Sequence, residues 1–160
     1  MIMSLEIIER IELIRALLRV DPSKIVAGKL REGCAKASSG LPEWDQFLTI
    51  SNGGNCGVFD LWSNEDLPRN QFYSSLMPGT QSDWLVIGQL MYEPIAVNRK
   101  TQQVVCFPDN AVSHDLGPIS HFVADFLFGR RYAEVVPNVE HDPWWHLLTK
   151  GTAMTNHNLP

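Results

Sequence analysis

No stretch of about 18 consecutive apolar residues occurs in this 160-residue chain, so nothing in it reads as a membrane-spanning helix. The first residues carry Glu6, Glu9 and Glu12 where a secretory leader needs a basic start and an apolar centre, which makes the cytoplasm the expected compartment. Cysteine is scarce. Cys34, Cys56 and Cys106 are far apart, odd in number and without a CxxC pair, which argues against a disulfide or zinc framework and for reduced, structural thiols. No metal and no cofactor is expected. Basic residues are nearly missing from the middle of the chain: residues 37–98 carry a net −6, against +2 for residues 1–36 and −1 for residues 99–160. In that segment Glu43, Asp45, Asp60, Glu65, Asp66, Asp83 and Glu93 face only Arg69, which disfavours nucleic acid and favours a basic partner or a merely solvated surface.

A phosphate-binding loop is missing too, although Gly53-Gly54 invites the comparison. Such a loop places its glycines after a strand and before a helix, so that N–H groups at the helix start meet the anion. In "LPEWDQFLTISNGG" the order is reversed. Pro42 suits a first helical turn, Glu43 and Asp45 lie near the positive end of the helix dipole, and Leu41, Trp44, Phe47 and Leu48 recur at helical spacing. Asn52-Gly53-Gly54 then offers left-handed backbone that ends the helix, so Gly53 and Gly54 are assigned a structural role.

At 44% hydrophobic and 19% charged residues, the composition is that of an ordinary globular domain with a sizeable core. Ile7, Ile11, Ile14 and Leu18 predict a first helix capped by Ser4, with Glu6 and Arg10 paired one turn apart. Residues 21–36 suggest a second, weaker helix. "CGVFDLW", "DWLVIG", "EPIAVN" and "QVVCFP" read as strands, the last two joined by "RKTQ" as an antiparallel hairpin, with Pro94 restricting its strand to an edge or an irregular start. "SHFVADFLFG" predicts a closing helix capped by Ser120, with an apolar face of Phe122, Phe126 and Leu127. The expected class is α+β: N-terminal helices, a central mixed or antiparallel sheet of four to six strands, and a closing C-terminal helix.

"LPEWDQFLTISNGG", followed by "WLVIG", the hairpin "EPIAVNRKTQQVVCF" and the helix "SHFVADFLFG", resembles in order and spacing the SUKH superfamily of immunity proteins and cell-wall regulators. The resemblance covers roughly residues 35–129. Asn52, Gly53, Gly54 and Gly88 match family positions, whereas the Gly-Asp common after the glycine matching Gly88 is replaced by "QLMYEP". The length suits one domain, expected over residues 1–150 with 151–160 a flexible tail, and the resemblance implies a protein-binding module: an immunity protein that neutralises a cognate, nuclease-like toxin by stoichiometric binding. An intracellular scaffold or signalling module of the same fold is the alternative.

A small hydrolase is the distant third reading. It would need one of the three cysteines within reach of His114, His121, His141 or His146, and no local signature joins them. His141 and His146 are five apart, which does not put both on one helical face. Candidate partner contacts are Asp60, Glu65, Asp66 and Glu93, taken to reach one edge or face of the sheet, together with Trp144. Trp144 and Trp145 are adjacent and cannot share a face, so an exposed ring could anchor a partner. The preferred alternative is that these rings clamp the C-terminal segment onto the domain.

Overall fold

The computed structural model describes residues 3–108 and 112–151. Helix α1 (Leu5–Val20) starts where the Ser4 hydroxyl accepts from the Ile7 N–H, and it buries Ile7, Ile11 and Ile14. Two arginines lie on the same buried side. Arg10 donates to the Phe128 carbonyl at 3.2 Å and pairs with Glu6 at 3.5 Å, while Arg15 donates to the carbonyls of Arg31, at 2.9 Å, and Ile50. Ile50 ends helix α2 (Pro42–Ile50), and Phe128 follows the last turn of helix α3 (residues 119–127). Each guanidinium therefore satisfies a carbonyl at the negative end of another helix. Burial lowers the Arg10 pKa, with Glu6 opposing the shift.

The expected helix over residues 21–36 does not form. Asp21 caps a single 3-10 segment, Pro22–Val26, and the chain then enters strand β1 (Gly28–Leu30). Close approach explains the change: a Cβ on Gly28 would lie 2.9 Å from the Trp144 ring, and one on Gly33 only 1.8 Å from the Thr49 carbonyl oxygen. The backbone runs against its neighbours here, leaving no room for a helix of side chains.

Seven strands form one antiparallel sheet in sequence order, more than the four to six expected. "CGVFDLW" folds back at Gly57-Val58 into β2 (Gly54–Cys56) and β3 (Phe59–Leu61). β4 (Trp84–Leu90), β5 (Glu93–Asn98) and β6 (Gln103–Cys106) follow the predicted runs, and "RKTQ" makes the predicted hairpin. β7 (His114–Pro118), like β1, is short and lacks apolar alternation. Pro94 is the second residue of β5, which lies between β4 and β6, so it marks an irregular start and not an edge.

The inner face, with Phe59, Leu85, Ile87, Ile95, Val97 and Val104, packs on the helices. The α3 helix is capped by Pro118, so Ser120 lies inside it, and it widens to π-helical spacing over Phe122–Leu127 while burying Phe122, Phe126 and Leu127. The described residues end with α4 (Pro143–His146) and a π-helical turn, Leu147–Gly151. The outer face carries a second cluster of Met77, Trp84, Val86 and Ala96, partly covered by the 3-10 segment Pro68–Leu76. There the Gln71 amide takes the place of a missing strand: its oxygen accepts from the Val86 N–H at 3.0 Å and its nitrogen donates to the Val86 carbonyl at 2.9 Å.

Between α2 and β2 the chain turns through Gly53 at φ 76° and Gly54 at φ 130°. A Cβ on Gly54 would lie 2.1 Å from the Lys29 carbonyl oxygen, across the β1–β2 pairing. Gly54→Ala is expected to destabilise the fold by about 3 kcal/mol or more, as strain and backbone collision add. Gly79→Ala, also at positive φ but facing only the movable Asp83 carboxylate, should cost about 1 kcal/mol. Urea unfolding of both variants checks the order.

Candidate functional site

β4 and β5 are joined by two residues, Met91 and Tyr92, between the paired Leu90 and Glu93. Both have positive φ, 47° and 73°, as a type I′ turn requires. That turn favours Asn-Gly, because left-handed backbone costs an ordinary L-residue roughly 1–2 kcal/mol. Here the two positions hold large apolar and aromatic side chains, and both are in water: Tyr92 is 90% exposed and Met91 43%. The hairpin thus combines backbone strain with exposed hydrophobic surface, neither of which helps the fold.

The turn sits at one end of the sheet. Met91 N–H donates to the Val58 carbonyl at 3.1 Å, so the β2–β3 turn Gly57-Val58 is beside it. Residues paired across antiparallel strands share a face. Asp60 pairs with Gln89 and lies on the outer face, whereas Glu93 pairs with Leu90, which itself pairs with the buried Phe59. Two clefts flank the turn accordingly. One, of about 320 Å³, is lined by Asn55, Gly57, Val58, Asp60, Gln89, Met91 and Tyr92. The other, of about 350 Å³, is bounded by Leu90, Met91, Glu93, Cys106, His114 and Glu134 among others.

Of the four carboxylates expected to share a surface, only Asp60 and Glu93 bracket this end. Glu65 and Asp66 follow β3 as it runs away from the turn. Glu65 accepts from the Asn52 amide at 2.8 Å, which holds its pKa below the usual carboxylate range, and Asp66 pairs with Arg69 at 3.1 Å. The expectation of one common face is corrected: the order β3–loop–3-10 segment carries the second pair toward the α2 corner.

Trp144 is also corrected as a partner contact. It is fully buried, its indole N–H donates to the Leu127 carbonyl at 2.7 Å, and its ring meets Phe128 edge-on at 5.7 Å. The clamp reading describes it. Trp145 is the half-buried ring of the pair, stacked on Tyr132 at 6.4 Å. The Tyr132 hydroxyl accepts from the Val58 N–H at 3.1 Å and donates to Asp142 at 3.0 Å, tying the C-terminal segment to the turn end of the sheet. Burial pushes the Tyr132 phenol well above its ordinary value.

The second cleft brings Cys106, His114 and two carboxylates together, a combination that separate sequence motifs do not reveal. Cys106 and His114 are paired across β6 and β7. The thiol is nonetheless buried, and burial, followed by the charge of Glu93, raises its pKa to about 11. A nucleophilic cysteine needs the opposite shift. Cys106 is therefore a protonated packing residue at neutral pH. Among the described residues no group of three or more His, Cys, Asp or Glu is arranged to hold a metal ion, and no helix is long and apolar enough to cross a membrane. No protein-family model matches the chain, and no curated protein matches it significantly.

Sequence reading missed Met91 and Tyr92. The available signal was "LMYEP": a two-residue gap between strand-like runs with neither glycine nor asparagine in it. Replacing Met91-Tyr92 with Asn-Gly is expected to raise stability by about 1 kcal/mol, through relief of left-handed strain. Chemical denaturation of the double variant checks this, and a loss of stability would show that the two side chains support the fold.

Proposed function

We propose that the chain is a non-enzymatic protein-binding module, an immunity protein of SUKH type that neutralises a basic, nuclease-like toxin by binding it one to one. The observation that carries this reading is the Met91–Tyr92 turn: strained, exposed and placed between Asp60 and Glu93. Strain held at an exposed tip is a mark of selected function, because the sequence has a more stable alternative. An aromatic ring presented by a rigid hairpin loses little entropy on docking and suits the centre of an interface. The carboxylates on either side complement a cationic surface of the kind a nuclease uses for its substrate, and they hasten encounter. The acidic net charge of residues 37–98 points the same way.

In this reading the partner is covered, not altered. Toxin activity should fall linearly with added protein and vanish at equimolar ratio, whereas an enzyme would abolish it at a small fraction of that amount. The test partner is a toxin domain whose lethality is suppressed when this chain is co-expressed with it. With it, Asp60→Asn/Glu93→Gln should slow association about tenfold at low salt and flatten the salt dependence, while Glu65→Gln/Asp66→Asn changes the rate less than about twofold. Stopped-flow association at low and high salt decides, and equal effects of the two pairs would remove the turn end as the contact surface.

A further inference from the structure

We infer that the outer cleft beside the turn is a receptor for an arginine side chain of the partner, an inference that rests on the protein-binding reading above and makes it specific. The cleft combines one carboxylate, two side-chain amides, a phenol ring and an apolar floor of Val58 and Met91. Asp60 accepts from the Asn55 amide at Oδ1, at 2.8 Å, and among the described residues no donor reaches Oδ2. The Asn55 bond therefore fixes the carboxylate while leaving its second oxygen open. Gln89 lies directly across from Asp60 in the β3–β4 pairing. Its nitrogen donates to the Tyr73 hydroxyl at 3.5 Å, which leaves its oxygen as a further acceptor.

This set matches a guanidinium better than an ammonium. A guanidinium is planar, carries five donors in a fixed fork and stacks on aromatic faces, whereas an ammonium is compact and strongly hydrated. Asp60 and Gln89 offer acceptors from adjacent strands, about 5 Å apart, and Tyr92 offers the ring. The nearest cation in the same row is Lys29, which pairs with Asn55 and so stands two strands, about 10 Å, from Asp60. No ion pair joins Lys29 to Asp60 among the described residues. The cleft, of about 320 Å³, opens beside the exposed turn that a docking protein would meet first.

The probe is a short blocked peptide, acetyl-Gly-Arg-Gly-amide, titrated into the uniformly 15N-labelled protein, with citrulline and lysine versions as controls. Citrulline keeps the shape and removes the charge. Saturable amide shifts are expected at residues 55–60 and 89–92, with affinity at least tenfold weaker for citrulline and severalfold weaker for lysine. Asp60→Asn should weaken arginine binding at least tenfold and Tyr92→Leu severalfold, with the remaining spectrum unchanged as the check on folding. Equal shifts with citrulline, shifts elsewhere, or full binding by Asp60→Asn would overturn the inference. If the peptide fails while the protein still neutralises its toxin, the arginine receptor falls and the immunity reading stands. If the peptide binds as described and no toxin is neutralised, the receptor stands and the immunity reading falls.

Discussion

The pairing of β4 with β5 holds the centre of the sheet, and its register decides which residues are core. Leu85, Ile87, Ile95 and Val97 face the helices, while Trp84, Val86 and Ala96 face the outer cluster. Because side chains alternate with a period of two, a slip of one residue would exchange these sets. The two-residue Met91–Tyr92 connection fixes the register at one end, and the irregularity between Val86 and Gly88 adjusts it further along. The turn that presents the exposed ring is therefore also the turn that aligns the central hairpin. Tyr132 and the Gly57-Val58 turn support it from the side, since the Val58 carbonyl accepts from Met91 N–H and the Val58 N–H donates to the Tyr132 hydroxyl.

Buried arginines extend this order to the helices. Arg10 and Arg15 hold the ends of α3 and α2 against α1, so three helices form one layer over the inner face. The outer face has no such layer. Its aromatic cluster is covered in part by a single 3-10 segment, and its polar row from Lys29 through Asn55, Asp60 and Gln89 remains accessible at the turn end. The difference between the faces leaves the outer polar row open to solvent at the turn end.

Much of the architecture was legible in the sequence because it is written in strong periodic signals. The stripe of α1, the Pro42 start and glycine end of α2, the apolar β4 and the "RKTQ" hairpin each follow from local chemistry. β1 and β7 were not legible, since three to five residues with glycine, lysine or proline carry no alternation and are extended only through their neighbours. The candidate site was half legible. Asp60 and Glu93 stood out by charge, but Glu65 and Asp66 stood out equally, and only strand register separates the pairs. Met91 and Tyr92 were illegible for a different reason: their conformation contradicts the local preference of those residues. Such contradictions between sequence and backbone concentrate at functional positions.

Amide hydrogen exchange with and without a toxin domain that the protein suppresses on co-expression tests the proposed assignment of the turn end most directly. Protection on binding is expected in residues 57–60 and 89–93, with residues 5–20 and 64–76 unchanged. Protection confined to 64–76, with the Met91–Tyr92 turn exchanging as in the free protein, would contradict the assignment.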